Sequence, residues 1–168
     1  FAVDADRDGK ADTVYAGDLN GSMWQFDLRD LSDAASVATT ATTPGVKLLL
    51  TTSPAQAITV TPGVAIHPEG GYMVTFATGK TFVDADLADN AVHYVYGVWD
   101  GAPAANDTLL TQTLQERNYV GGDGVSLRVR RATTTNLPSW SDGAGNHKGW
   151  KVALNAGERV VGQGSFIE

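Results

Sequence analysis

The chain has 168 residues, 42% of them hydrophobic, and a formal net charge of −7. That is the length of one ordinary domain with enough apolar content for a core, and no stretch approaches the length of a membrane span. Cysteine is absent, which excludes a disulfide framework, a thiolate metal site and a cysteine nucleophile, and the acidic balance makes a poor nucleic-acid binder.

The first element is Asp4-Ala-Asp6-Arg-Asp8-Gly9-Lys10-Ala-Asp12. Its carboxylates stand at relative positions 1, 3, 5 and 9, with glycine at 6. Alternate residues of a curling loop aim carboxylates at one centre, and glycine permits the sharp turn after position 5. The expected ligands are Asp4, Asp6, Asp8 and Asp12, with the backbone carbonyl of Lys10 at position 7. An all-oxygen set without His or Cys predicts Ca2+. Relative position 12, where an EF-hand carries a bidentate Glu, is Tyr15, inside an apolar strand. The expectation is therefore a loop-to-strand calcium site, not half of a helix–loop–helix sensor. The alternative is a solvated acidic turn, which leaves four like charges crowded without a counter-ion. Residues 1–33 hold eight Asp against three basic residues, so most of the acidity lies at this end. Calcium points outward from the cytosol, and a start at Phe1 suggests a piece of a longer protein or a processed one.

Residues 13–28 predict a hairpin turned by Asn20-Gly21, both expected at positive φ, with Trp24, Phe26 and Leu28 on the inward face. Residues 38–45 have a surface-loop composition. Strands follow at 46–52, 58–60, 64–67 and 72–79, the last two joined through Gly70-Gly71. Residues 80–90 form a polar connection with Asp84, Asp86 and Asp89, read as a capped turn in preference to a second cation site. Further strands are predicted at 94–100 and 125–131, while 109–116 suits strand or helix. Gly149–Leu154 and Arg159–Val161 are expected to close as a hairpin. Nine to eleven short strands without a long amphipathic helix predict an all-β fold, a propeller or a sandwich. The recurrence of Tyr15-Ala-Gly-Asp, Phe76-Ala-Thr-Gly and Tyr96-Gly-Val-Trp-Asp favours propeller blades. At about four strands per blade the chain amounts to about three blades, short of a closed ring.

In order along the chain, four segments carry a resemblance: the Asp4–Asp12 loop; Val14-Tyr-Ala-Gly-Asp-Leu-Asn-Gly-Ser-Met-Trp-Gln-Phe-Asp27; Phe76-Ala-Thr-Gly-Lys80 with Asp84-Ala-Asp86-Leu and Tyr96-Gly-Val-Trp-Asp100; and Gly149-Trp-Lys-Val-Ala-Leu with Gly157-Glu-Arg-Val-Val161. Together they resemble the C-terminal β-propeller region of the PilY1/PilC family of type IV pilus biogenesis proteins and tip adhesins. The resemblance implies a partial β-propeller of quinoprotein-like blades over residues 1–168. It implies a bacterial surface, outer-membrane or pilus-tip location, reached by export. It implies pilus components such as minor pilins, or the rest of the same protein, as partners. It also implies that calcium tunes pilus extension against retraction. The family's amino-terminal adhesive region is not in this sequence, and neither is an Arg-Gly-Asp motif, so host-cell binding is not assigned to it.

Catalysis finds little support. His67, His93 and His147 stand far apart, and Gly162-Gln-Gly-Ser-Phe lacks the second glycine of a nucleophile elbow. Each histidine is read as a core or surface residue. A fragment of a quinoprotein-like enzyme, or a purely structural blade set stapled by calcium, are the competing readings. Gly121-Gly-Asp-Gly lacks the Gly-Lys-Ser/Thr ending of a phosphate loop. Arg128, Arg130 and Arg131 are read as a solvated strand face, with a pilin-docking patch as the alternative. The four tryptophans are read as packing residues, Trp140 alone as exposed.

Overall fold

The computed structural model describes residues 1–29, 45–101, 104–105, 108–132, 136–140 and 146–162, with the backbone alone over 128–132. Eleven strands are present among them: β1 (Ala2–Val3), β2 (Thr13–Gly17), β3 (Ser22–Asp27), β4 (Val46–Thr51), β5 (Gly63–Ile66), β6 (Tyr72–Ala77), β7 (Tyr94–Trp99), β8 (Leu109–Gln112), β9 (Leu114–Val120), β10 (Ser126–Ala132) and β11 (Gly149–Ala153). One short 3-10 turn spans Asp84–Ala88. The chain has an all-β fold of the propeller type, as its turn-punctuated pattern of short apolar runs predicts.

Among the described residues the strands form two blades and a ribbon, not three blades. The first blade is the antiparallel meander β1-β2-β3-β4, and the second has the order β5-β6-β7-β11-β8. In the second, β11 is antiparallel to β7 and parallel to β8. The material expected to build a third blade is instead the two-stranded ribbon β9–β10, whose β9 is exposed along nearly its whole length.

One core lies between the blades. Tyr15, Met23, Leu49 and Leu50 from the first pack with Val74, Phe76, Tyr96, Val98 and Leu109 from the second, and Ile58 from the connection seals them. Phe76 and Tyr96 face each other across β6 and β7 with stacked rings 5.2 Å apart. Several residues each bury a large side chain here, each such burial contributing about 1.5–3 kcal/mol. Tyr96 is fully buried, and desolvation raises its phenol above the ordinary tyrosine value.

Four local expectations are corrected. The inward face of β3 is that of Met23, which is fully buried, while Trp24 and Phe26 are half-buried on the opposite face. The hairpin turn is a three-residue loop: Asp18 N–H bonds the Ser22 carbonyl, Gly21 N–H bonds the Asp18 carbonyl, and Gly21 alone takes a positive φ of 84°. Asn20 instead donates its N–H to the Asp18 side chain. Residues 58–60 make no strand, only an isolated bridge from Ile58 to Gly79. Residues 159–161 do not pair with β11, because the place beside β11 is taken by β7 on one edge and β8 on the other. The ambiguous 109–116 segment is strand, split between β8 and β9.

Candidate metal centre

The Asp4–Asp12 loop is the connection between β1 and β2. Its ends are closed by main-chain bonds, from Asp12 N–H to the Val3 carbonyl (2.8 Å) and from Leu28 N–H to the Asp12 carbonyl (2.8 Å), which fasten it to the first blade. Inside it, the aspartates organise the backbone. Asp4 accepts the Gly9 N–H at 2.9 Å, Asp6 the Asp8 N–H at 3.0 Å, and Asp8 the Lys10 N–H at 2.8 Å. Asp12 accepts the N–H groups of Ala5 (2.6 Å) and Asp6 (3.4 Å), bracing the front of the loop from behind. Two residues take left-handed backbone, Arg7 at φ 63° and Gly9 at φ 89°. Glycine does so freely, whereas Arg7 is held there by the loop around it.

Each of these bonds leaves carboxylate oxygens over. One oxygen each from Asp4, Asp6 and Asp8 lies within 4.8 Å of the others, and all three residues are exposed. Ca2+ binds oxygens at about 2.3–2.6 Å, so ligands across the ion stand up to about 5 Å apart, and the spacing fits. The predicted ligands divide here. Asp4, Asp6 and Asp8 converge, while Asp12 stands outside that trio as a brace. The Lys10 ammonium meets Asp8 at 3.2 Å, a surface ion pair that contributes little.

The other acidic cluster does not converge on a cation site. Asp86 accepts the N–H groups of Phe82 (2.8 Å) and Val83 (3.2 Å) and meets Lys80 at 3.1 Å, as a capped turn requires. The Lys80 bond and these N–H groups hold its carboxyl below the usual carboxylate range. Arg159 grips the same turn from the far end of the chain, donating to the carbonyls of Asp86 and of Asp89, the latter at 2.7 Å.

Asp100 carries a role that the sequence reading did not foresee. It is buried at the seam between the blades. Its carboxylate accepts the Tyr15 hydroxyl (2.6 Å) and the Gln25 amide (3.4 Å) from the first blade, and the Tyr72 N–H (2.7 Å) from the second. The Lys47 ammonium bonds its main-chain carbonyl. Burial first, then the Asp100 bond, push the Tyr15 phenol well above its ordinary value, so it stays a donor. A strand ending in Trp-Asp was the available signal, but its partners are far away in sequence.

The histidines form no catalytic set. His67 is buried between Trp99, stacked at 4.7 Å, and the edge of Trp140 at 4.5 Å. Trp140 is therefore half-buried, not exposed, because His67 offers it a ring to pack on. His93 lies in a separate buried network, and His147 accepts the Ser139 N–H. The backbone of Arg128, Arg130 and Arg131 runs in β10, and their side chains lie outside the described residues.

Known proteins resemble this arrangement over nearly the whole chain. Residues 1–122 match the family described as the PilY1 beta-propeller domain. The type IV pilus biogenesis factor PilY1 of Pseudomonas aeruginosa strain PAO1 is 33% identical over 191 aligned residues, covering 96% of this chain and 16% of that protein. A PilY1 homolog of Xylella fastidiosa strain Temecula1 is 29% identical over 137 residues, covering 77% of this chain and 9% of that protein. The crystal structure of the Pseudomonas aeruginosa PilY1 C-terminal domain superposes with a TM-score of 0.74 at 28% identity, covering 97% of this chain and 41% of that one. The chain thus spans about a sixth of the length of its Pseudomonas relative. Among the described residues no helix is long and apolar enough to cross a membrane.

Proposed function

The chain belongs to the PilY1 β-propeller family, and from that premise we propose that it is a calcium-binding, non-catalytic segment of a type IV pilus biogenesis protein, working at the cell surface or pilus tip. In this reading calcium adjusts pilus extension against retraction, and surface attachment with it. Its partners are pilus components such as minor pilins, or the remainder of the same protein.

The observation that carries the reading is the convergence of Asp4, Asp6 and Asp8 on one oxygen-lined point. These three carboxylates would hold the ion, with Asp12 bracing the loop and the Lys10 carbonyl as a further oxygen. Bound there, Ca2+ supplies positive charge that offsets the mutual repulsion of the aspartates. The chain's own residues do the rest. The Asp12 carboxylate braces the front of the loop through Ala5 and Asp6, and its main chain ties the loop to β1 and to the residue after β3. A loop drawn together at its carboxylates therefore also fixes the edge of the first blade. A ligand that binds only the folded state stabilises it by about 2.7 kcal/mol at a hundredfold excess over Kd.

Titration calorimetry with Ca2+ tests the metal reading: one site is expected, and no heat of binding at millimolar Ca2+ overturns it. The functional reading is tested in bacteria carrying Asp4→Ala. Loss of the calcium response of pilus-dependent surface movement is expected at unchanged protein level. Movement that falls only in proportion to folded protein would make calcium a structural staple instead.

A further inference from the structure

The turn between β2 and β3 takes its left-handed backbone from Gly21, at φ 84°, and not from Asn20. Gly21 is buried, and its surroundings demand glycine a second time. A Cβ at this position would stand 2.3 Å from the Thr52 hydroxyl oxygen and 2.8 Å from the Gln56 main-chain nitrogen. Dihedral and packing thus agree on glycine at 21. Asn20 carries no such duty. It is exposed, and its main-chain N–H donates to the Asp18 carboxylate at 2.9 Å.

An exposed asparagine followed by glycine is a pair in which a chain can react with itself. Glycine has no side chain to shield its main-chain nitrogen. That nitrogen can close a five-membered ring on the carbonyl carbon of the asparagine side chain. Asn20 is the one asparagine of this chain that glycine follows. The hydrogen that must leave is weakly held. Gly21 N–H reaches the Asp18 carbonyl only at 3.3 Å, and that carbonyl makes its shorter bond, 3.0 Å, with Ile58 N–H.

We propose that Asn20 is a site of spontaneous deamidation, and that its isoaspartate product loosens the turn from the seam between the blades. Hydroxide takes the Gly21 hydrogen, and the Gly21 nitrogen forms a bond to Asn20 Cγ. The Cγ–Nδ2 bond breaks, and Nδ2 leaves as ammonia after taking a hydrogen from water. Water then adds to either carbonyl of the succinimide ring, the C–N bond at that carbonyl breaks, and the nitrogen recovers its hydrogen. Opening at Cγ leaves aspartate. Opening at the main-chain carbonyl leaves isoaspartate, whose chain runs on through Cγ. Water is gained and ammonia lost, and nothing is oxidised or reduced. Both products set a new carboxylate beside that of Asp18, but only isoaspartate adds a carbon to the main chain, directly before Gly21. The crowded site of Gly21 has no room for that shift. Its carbonyl accepts Thr52 N–H at 2.8 Å, and the Asp18 carbonyl holds Ile58. Thr52 and Ile58 are both buried, and Ile58 belongs to the core between the blades. A reaction at an exposed tip therefore reaches the seam.

Peptide mass mapping of the full chain, incubated at mildly alkaline pH both folded and unfolded in guanidinium, tests the site, with isoaspartyl methyltransferase labelling to separate the two products. In the folded chain residue 20 is expected to convert ahead of every other asparagine, faster as the pH rises, and to give isoaspartate. Asp8-Gly9 and the other Asp-Gly pairs can isomerise through the same ring, but without a change of mass. Asn20→Gln, which would have to close a larger ring, should abolish the mass change in that peptide. An Asn20 that stays intact in the folded chain while it converts in the unfolded one overturns the proposal, because the turn then shields it. Hydrogen exchange tests the consequence by comparing the isoaspartate form with Asn20→Asp, which has the charge without the added carbon. Loss of protection at the Thr52 and Ile58 amides is expected in the isoaspartate form alone, and equal protection in the two forms overturns the link to the seam. None of these readouts depends on calcium.

Discussion

The Asp4–Asp12 loop and the Asp100 node both gather hydrogen bonds on carboxylates, yet they are built in opposite ways. The carboxylates of the loop draw their hydrogen-bond partners from nine consecutive residues, and those of Asp4, Asp6 and Asp8 stay in water. The node draws on Tyr15, Gln25, Lys47 and Tyr72, from both blades, and lies out of water. In water, crowded charges are tolerated but contribute little until a counter-ion arrives. Away from water, each bond to a carboxylate counts for more, and each lost partner leaves a stranded group. One site is arranged to respond to its surroundings and the other to hold the blades together regardless of them.

The sharpest way to break that contrast is Asp100→Ala. It strands the Tyr15 hydroxyl and the Tyr72 N–H at the seam, and a loss of about 3–5 kcal/mol is expected in denaturant unfolding, with or without calcium. Next comes Asp4→Ala, which should remove the calcium-dependent stabilisation of about 2.7 kcal/mol at hundredfold excess and change little in chelator. An Asp4→Ala variant equally destabilised in chelator would make the loop a fold element like the node. Tyr15→Phe, which takes one donor from Asp100 and leaves two, should cost about 1–2 kcal/mol.

How much of this was legible followed from sequence distance. The loop could be read because its bonds are local and its spacing repeats the geometry of a curling chain. The node could not, because Asp100 meets Tyr15 and Gln25 at separations of 85 and 75 residues. Tryptophan misled the reading of β3: bulk suggested that Trp24 faced inward, but Met23 lies on the side of Tyr15 and the seam, and Trp24 reaches Asp18 with its indole N–H at 3.0 Å. Two adjacent buried leucines in β4 contradict period-2 alternation. A shift in the pairing with β3, where Met23 meets Leu50 and Trp24 meets Leu48, leaves Leu49 as an extra residue in the strand. Nothing in the local pattern of 149–153 says that it slots between β7 and β8, so the last hairpin and the third blade were wrongly expected.

A smaller effect concerns pH and separates node from loop again. His67 accepts the Glu69 N–H at Nδ1, and burial pulls its pKa below the ordinary histidine value. The unfolded chain takes up that proton at higher pH than the folded one. The contribution is therefore present above about pH 6.5 and is lost as the pH falls through and below it. His67→Phe should flatten the fall in melting temperature between about pH 7 and pH 5.5. The smallest effect expected is that of Lys10→Ala on calcium affinity, since position 10 offers its carbonyl and not its ammonium. A large loss of affinity in Lys10→Ala would mean that the side chain shapes the loop.

The parallel pairing of β8 with β11 carries a consequence for the ribbon. Two strands running the same way cannot be joined by a tight turn, because the chain must first travel back to the end from which it started. Gly149 pairs with Leu109 and Val152 with Gln112, so the thirty-six residues between these pairs form an obligatory return journey. The β9–β10 ribbon is the shape that journey takes. Its tip is free to lengthen, shorten or change sequence, but a detour of some kind must remain for the second blade to close its edge.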